Sequence, residues 1–173
     1  MHSGTDFIHT KELQPSKKDR CVSIVVGPVR IAEYLERPQI VTRVTPNEVR
    51  LAEFDQWAEP LDRNIARVLA DNLSALLWKK LVVVFPWKGP VPIDYQVKVE
   101  ILRLDGNLGG DATLEVQWMI FAVGKVKRFL ASKKSSFSGP TDGQDYRALV
   151  SAESRNLGLL SRDIASAIKT LSQ

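Results

Sequence analysis

The sequence predicts an α+β fold: a mostly antiparallel sheet packed against two amphipathic helices in a single domain. Three observations predict it. Segments 95–101 and 114–120 alternate apolar and polar residues, the period of a half-buried strand. Between them, Asp105-Gly106-Asn107 and Gly109-Gly110 carry the chemistry of a hairpin turn. Segments 58–78 and 146–171 instead repeat apolar residues every three or four positions, the period of a helix with one buried face.

Taken in order, residues 1–20 are polar and weakly periodic, and read as a flexible arm or tether ahead of a single domain over 21–173. Val22, Ile24 and Val26 alternate as a strand that Gly27-Pro28 should end. Residues 29–37 read as an irregular connection closed by Pro38. Gln39–Val44 and Val49–Phe54 form a hairpin through the turn residues Thr45-Pro46-Asn47-Glu48. The first helix places Pro60 at its first position, where a missing N–H costs nothing. Asp62 follows in the first turn, where the helix dipole favours an anion. Leu61, Ile65, Val68, Leu69, Leu73 and Leu76 make its apolar stripe.

Leu81–Phe85 has strand length and leads into a loop holding Pro86, Gly89, Pro90 and Pro92. The two alternating strands and a third over about 126–137 predict a three-stranded meander across 93–137. The turn at Gly124-Lys125 precedes the third strand. Gly139-Pro140-Thr141-Asp142-Gly143 then breaks the chain before the last helix. Glu153 and Gly158 interrupt that helix's stripe, which leaves a kink near 153–158 open.

Composition narrows the chemistry. The chain has 173 residues, 44% hydrophobic and 25% charged, enough for a core without metal or disulfide staples. Its single cysteine, Cys21, can form no internal disulfide. Its two histidines, His2 and His9, both precede the first strand, so the body has no His-based catalytic set and no Cys/His metal cluster. No metal, cofactor or catalytic residue is expected. No run of about 18 apolar residues exists to cross a membrane as a helix.

Several side chains still invite a functional reading. Lys125, Lys127, Arg128, Lys133 and Lys134 are the densest charge cluster, beside Val126, Phe129 and Ala131. They read first as a lysine-protected edge strand, then as an anionic membrane or acidic partner surface, and last as a nucleic-acid strip. Core packing is the default for Trp57, Trp78 and the other aromatics. Trp87, in its Pro/Gly loop with Phe85 nearby, is the candidate for exposure and for contact with a partner or an acyl chain. Cys21 reads as a small residue at a strand edge. The carboxylate pairs Asp94/Glu100 and Asp142/Asp145 read as solvated loop and edge charges.

Two segments carry a resemblance. Gly27-Pro28-Val29-x-Ile31-x-x-Tyr34-Leu35-x-Arg37-Pro38-Gln39-Ile40-Val41 is followed by Phe54-x-x-Trp57-Ala58-Glu59-Pro60-Leu61, then Val68-Leu69-Ala70-x-Asn72-Leu73. Over about 22–171 the chain resembles the PqiC-type lipoproteins, auxiliary components of ABC-type transport systems that work beside MCE-domain proteins. The resemblance implies a non-enzymatic lipoprotein of the Gram-negative envelope, anchored to the outer membrane from the periplasm. It implies a part in moving lipids or other hydrophobic molecules between the two membranes and in keeping the envelope intact. It implies an MCE-domain partner, no nucleic acid, and a leader and lipidated cysteine ahead of the polar arm. Tyr34, Leu35, Pro38, Trp57, Pro60 and Leu61 carry the family pattern and read as structural, with Trp57 and Leu61 stapling the start of the helix. Phe85, Trp87, Lys125, Lys127 and Arg128 are the candidates for touching a partner or lipid. A stand-alone periplasmic lipid carrier is the alternative, and self-association through the last helix or a sheet edge stays open.

Overall fold

The computed structural model describes residues 21–173. The expected arm over 1–20, with His2 and His9, lies outside them.

The elements run β1 (Ser23–Ile31), a short 3-10 helix (Glu33–Leu35), β2 (Gln39–Thr45), β3 (Glu48–Gln56) and α1 (Leu61–Leu76). They continue as β4 (Leu81–Val84), β5 (Tyr95–Gly106), β6 (Asp111–Ala122), β7 (Arg128–Pro140) and α2 (Tyr146–Leu171). Five strands form one sheet in the order β4-β1-β5-β6-β7, and β2 pairs with β3 in a separate ribbon. The pairings β5–β6, β6–β7 and β2–β3 are antiparallel. The fold is the α+β domain expected, with a mostly antiparallel sheet.

The alternation in the sequence translates directly into two faces. Val97, Val99 and Ile101 of β5 and Leu114, Val116, Trp118 and Ile120 of β6 are buried on one side. α1 packs there against β1 and β4, α2 against β6 and β7, and the helices touch each other. Ile65, Leu69 and Leu73 of α1 meet Leu157, Leu160, Ile164 and Ile168 of α2 in the main core. Each such fully buried side chain contributes roughly 1.5–3 kcal/mol relative to exposure. Among the described residues no helix packs on the opposite face of the sheet.

Three local expectations need correction. β1 does not end at Gly27-Pro28. Its register with β5 shifts between Val26 and Val29, and the strand resumes beyond that bulge. Gly27 takes a φ of 118°, open to glycine, where an added Cβ would sit 2.9 Å from Phe85 Cβ. Proline is tolerated because β4 pairs with β1 only over Ser23–Val26, so beyond the bulge β1 is an edge with no N–H to supply. Pro60 is the cap of α1 rather than its first helical residue. α2 runs unbroken for 26 residues. Gly158 faces open space and Glu153 turns inward, so neither bends it.

The β5–β6 turn shows how tightly strand ends are packed. An added Cβ on Gly106 would stand 2.5 Å from the Asp111 carbonyl oxygen and 2.7 Å from Ala112 Cα. Both are backbone atoms that cannot swing aside. Gly106→Ala is expected to cost roughly 1–3 kcal/mol, read as a lower denaturation midpoint with an unchanged slope.

Candidate functional site

The bulge in β1 has a structural consequence. Because β4 stops opposite Val26, the segment Val29–Ile31 lacks a neighbouring strand on one side. A groove of about 970 Å³ opens there. Val29, Ile31, Leu35, Trp57 and Leu61 supply its apolar lining, with Pro38 and Pro60 at its sides. Arg30, Arg37, Glu36, Glu59, Asp62 and Glu100 supply its charges, with carboxylates outnumbering cations.

Local hydrogen bonds hold this lining. Leu35 N–H donates to Ala32 O at 2.9 Å and Arg37 N–H to Leu35 O at 2.8 Å, winding the short helix that buries Leu35. Trp57 N–H donates to Pro38 O at 2.8 Å and so ties the two family segments together. Trp57 is partly buried and bridges the main core and a smaller one around Ile40, Ala52 and Leu149. Arg67 pairs with Glu59 from the next turns of α1. Five of the six residues that carry the family pattern, Leu35, Pro38, Trp57, Pro60 and Leu61, thus meet in one groove.

The sixth, Tyr34, points elsewhere. Its hydroxyl donates to Asp105 Oδ2 at 2.8 Å and accepts from Leu104 N–H at 3.0 Å. Asp105 is fully buried at the end of β5, not in a solvated turn. Arg43 of β2 donates to Oδ2 from Nη2 at 2.7 Å and from Nε at 3.2 Å, and Arg103 Nε donates to Oδ1 at 2.9 Å. Burial pushes the Asp105 carboxyl up, but the bonds from Arg43, Tyr34 and Arg103 outweigh it and hold it below the usual range. Burial drives the Tyr34 phenol well above its ordinary value. This cluster clamps the β2–β3 ribbon and the short helix to the main sheet.

A second buried acid sits in α2. Glu153 is buried, and its Oε2 has no partner, like Trp118 Nε1. Desolvation, and then the charge of Asp105, raise its pKa to about 8. A perturbed carboxyl is a catalytic candidate only where substrate reaches it. Neither Glu153 nor Asp105 lines the groove, and both are read here as parts of the interior. The carboxylate pairs singled out from sequence separate into structural roles. Asp145 caps α2 by accepting from Ala148 N–H at 2.8 Å, and Asp142 lies 3.5 Å from Arg155. Asp94 accepts from Ser23 N–H and Oγ, and Glu100 borders the groove. Among the described residues no group of His, Cys, Asp and Glu is arranged to hold a metal.

The other candidates lie apart from the groove. Trp87 is exposed, as expected, although its Nε1 donates to Val91 O at 3.0 Å and its ring covers Gly89. Phe85 beside it is about half exposed. The most exposed aromatics are instead Phe54 on β3, at 84%, and Trp78 just beyond α1, at 77%. Core packing was the expectation for Trp78; it stands outside because it follows the last helical turn, where the stripe has already ended at Leu77. Lys125, Lys127 and Arg128 cluster at the β6–β7 turn, and β7 is the edge of the sheet. Cys21 is exposed, with its thiol donating to Lys79 O at 2.8 Å.

Comparison with known proteins places this architecture. Residues 8–165 match the family model described as the ABC-type transport auxiliary lipoprotein component. The chain belongs to this family. No curated protein matches the sequence. Among solved structures, one described only as an uncharacterized protein superposes with a TM-score of 0.75 at 21% identity, covering 85% of this chain and 92% of its own. A protein from Xanthomonas campestris superposes with a TM-score of 0.67 at 19% identity, covering 84% of this chain and 81% of its own. At these identities the likeness is one of fold. The family is an auxiliary lipoprotein part of ABC-type transport, and nothing positive points to catalysis.

Proposed function

We propose that this protein is a non-enzymatic accessory subunit of an envelope transport system that moves lipids or other hydrophobic molecules between the two membranes. In this reading an MCE-domain protein is its partner. It sits in the periplasm, tethered to the outer membrane through a lipid anchor ahead of the described fold, and supports envelope integrity. The family match carries the reading. The gathering of Leu35, Pro38, Trp57, Pro60 and Leu61 around one groove supports that groove as the seat of the partner. Its volume is at the upper end of the range for ligand sites, and its apolar lining with a few charges is the usual composition of such sites.

The test is recovery of partners from envelope extracts. The wild-type chain should retain an MCE-domain protein. Arg37→Glu combined with Glu36→Lys should lower that recovery about tenfold, as truncating interface hot spots does, while leaving the melting temperature unchanged because both side chains are exposed. If the wild-type chain retains no MCE-domain protein, the reading is wrong. The alternative is a stand-alone lipid carrier, and native mass spectrometry separates the two. A lipid adduct on the isolated chain without any partner would favour the carrier.

A further inference from the structure

One end of the sheet carries an excess of cations. Residues 72–93 and 116–134 contain no Asp or Glu, and they hold Lys79, Lys80, Lys88, Lys125, Lys127, Arg128, Lys133 and Lys134. Residues 29–67, which include most of the groove lining and the β2–β3 ribbon, hold seven carboxylates and six arginines, so their charge nearly cancels.

Backbone hydrogen bonds show that Lys79, Lys80, Lys125, Lys127 and Arg128 share one end, while Lys133 and Lys134 lie farther along β7 and Lys88 in the loop after β4. Asp94 N–H donates to Ser23 O at 3.0 Å and Val123 N–H donates to Asp94 O at 2.8 Å. Leu81 N–H donates to Val22 O at 2.9 Å, beside the Cys21 contact to Lys79. One continuous border therefore joins the end of α1, the point where the described chain begins and the β6–β7 turn. The groove lies at the other end, where β1 finishes and α1 begins.

Apolar side chains project from this basic border. Val126 is 81% exposed, Phe129 is 57% exposed, and Trp78 and Val123 are exposed as well. Lys98 and Lys127 both stand over the Phe121 ring, at 5.3 and 4.8 Å from its centroid. Lys127 also bonds Gln96. Partial desolvation, and then Lys98, lower the Lys127 pKa. Among the described residues, Lys79, Lys80, Lys98, Lys125, Lys127 and Arg128 have no carboxylate within ion-pair distance. Lys79 lies over the Trp78 ring at 5.0 Å.

We infer that this end is a docking surface for an anionic phospholipid membrane, with Trp78, Val126 and Phe129 entering the interface and the lysines meeting headgroup phosphates. Three observations select that occupant. Cations unneutralised by the protein complement a negative leaflet, each adding attraction close to the surface. Apolar tips among cations match an interface with an apolar layer beneath a charged one. The described chain also begins at this border, the side from which a lipoprotein's anchor would hold it. With the lysine-rich end against the leaflet, the groove at the other end of the sheet faces away from the lipid. This inference rests on family membership and the surface, and not on the lipid-transport reading.

The test is co-sedimentation of the 173-residue chain, produced without acylation, with vesicles of phosphatidylcholine alone and with added phosphatidylglycerol. Binding is expected only to the anionic vesicles and is expected to fall with added salt. Lys125→Glu with Arg128→Glu should weaken it about tenfold or more. Val126→Asp should also weaken it, and both variants should melt as wild type because all three side chains are exposed. Equal binding to both vesicle types, no binding at low salt, or wild-type binding by both variants would overturn the inference. So would light scattering that shows the same variants dissolving a self-associated form that binds no vesicles. Duplex DNA retained through these lysines without vesicle binding would overturn it as well.

Discussion

Asp105→Ala is expected to destabilise the fold by about 3–5 kcal/mol, the usual cost of removing one partner from a buried ion cluster. For a domain of this size that is a fall in melting temperature of about 10 °C. The side chain is wholly buried, so its removal leaves Arg43, which reaches it from β2, and Arg103, from β5, without their anion. Tyr34 loses the acceptor of its hydroxyl at the same time. Asp105→Asn keeps the volume and separates charge from shape; it should fall between wild type and alanine. The pH dependence has a definite sign. The Asp105 pKa is lowered in the folded state, so its contribution is present above the unfolded carboxyl value and is lost as pH falls through the folded one. Wild type should therefore lose stability in acid more steeply than Asp105→Asn. A melting shift under about 3 °C for the alanine variant would show that the cluster does not hold the ribbon in place.

This cluster also marks the boundary of what local pattern can reveal. The alternation at 95–101 and 114–120 is set by one buried face, and each strand displays it without help from the rest of the chain. Asp105 displays nothing of the kind. Followed by Gly106-Asn107 it has the chemistry of a turn, and its burial depends on an arginine 62 positions away in sequence. The placement of β1 was not legible either. Val22, Ile24 and Val26 alternate as a half-buried strand does, yet Val25 between them is buried too, and parallel pairing leaves no local mark. In the structure β1 is central and pairs in parallel with both β4 and β5. The groove follows from that arrangement, since it opens where β4 stops. The residues lining it were visible as a family pattern, but their meeting at one place depends on the bulge at Gly27-Pro28. Exposure of Trp78 and Phe54 was illegible for a related reason. Aromatic residues are expected in a core, and only the finished packing shows which ones the helices and sheet leave uncovered.

Glu153→Gln is expected to stabilise the protein at neutral and alkaline pH while leaving it nearly unchanged near pH 4. The side chain sits inside α2 with Leu149, Ala152 and Leu157 buried around it on the same helix. Asp105 on β5 is the charged neighbour that acts on it, and Arg43, Arg103 and Tyr34 surround that carboxylate. Desolvation and then Asp105 raise the Glu153 pKa to about 8 from its ordinary 4.5. Between those two values the unfolded chain releases a proton that the folded protein keeps, so wild-type stability falls as pH rises from 4.5 and levels off above 8. At pH 7 this difference is on the order of 3 kcal/mol. Glutamine has the shape of the protonated acid and nothing to ionise, so the variant escapes the loss. Melting curves at pH 5 and pH 8 should show a gap that widens with pH, and a gap of the same size at both would show that ionisation of Glu153 is not what matters. The two acids are also coupled. Because the charge of Asp105 is the second cause of the shift, the widening should shrink in an Asp105→Asn background. That background removes the charge that helps keep Glu153 protonated, as well as the attraction to Arg43 and Arg103. The combined variant should accordingly match the sum of its two single substitutions at pH 5 and fall short of that sum at pH 8.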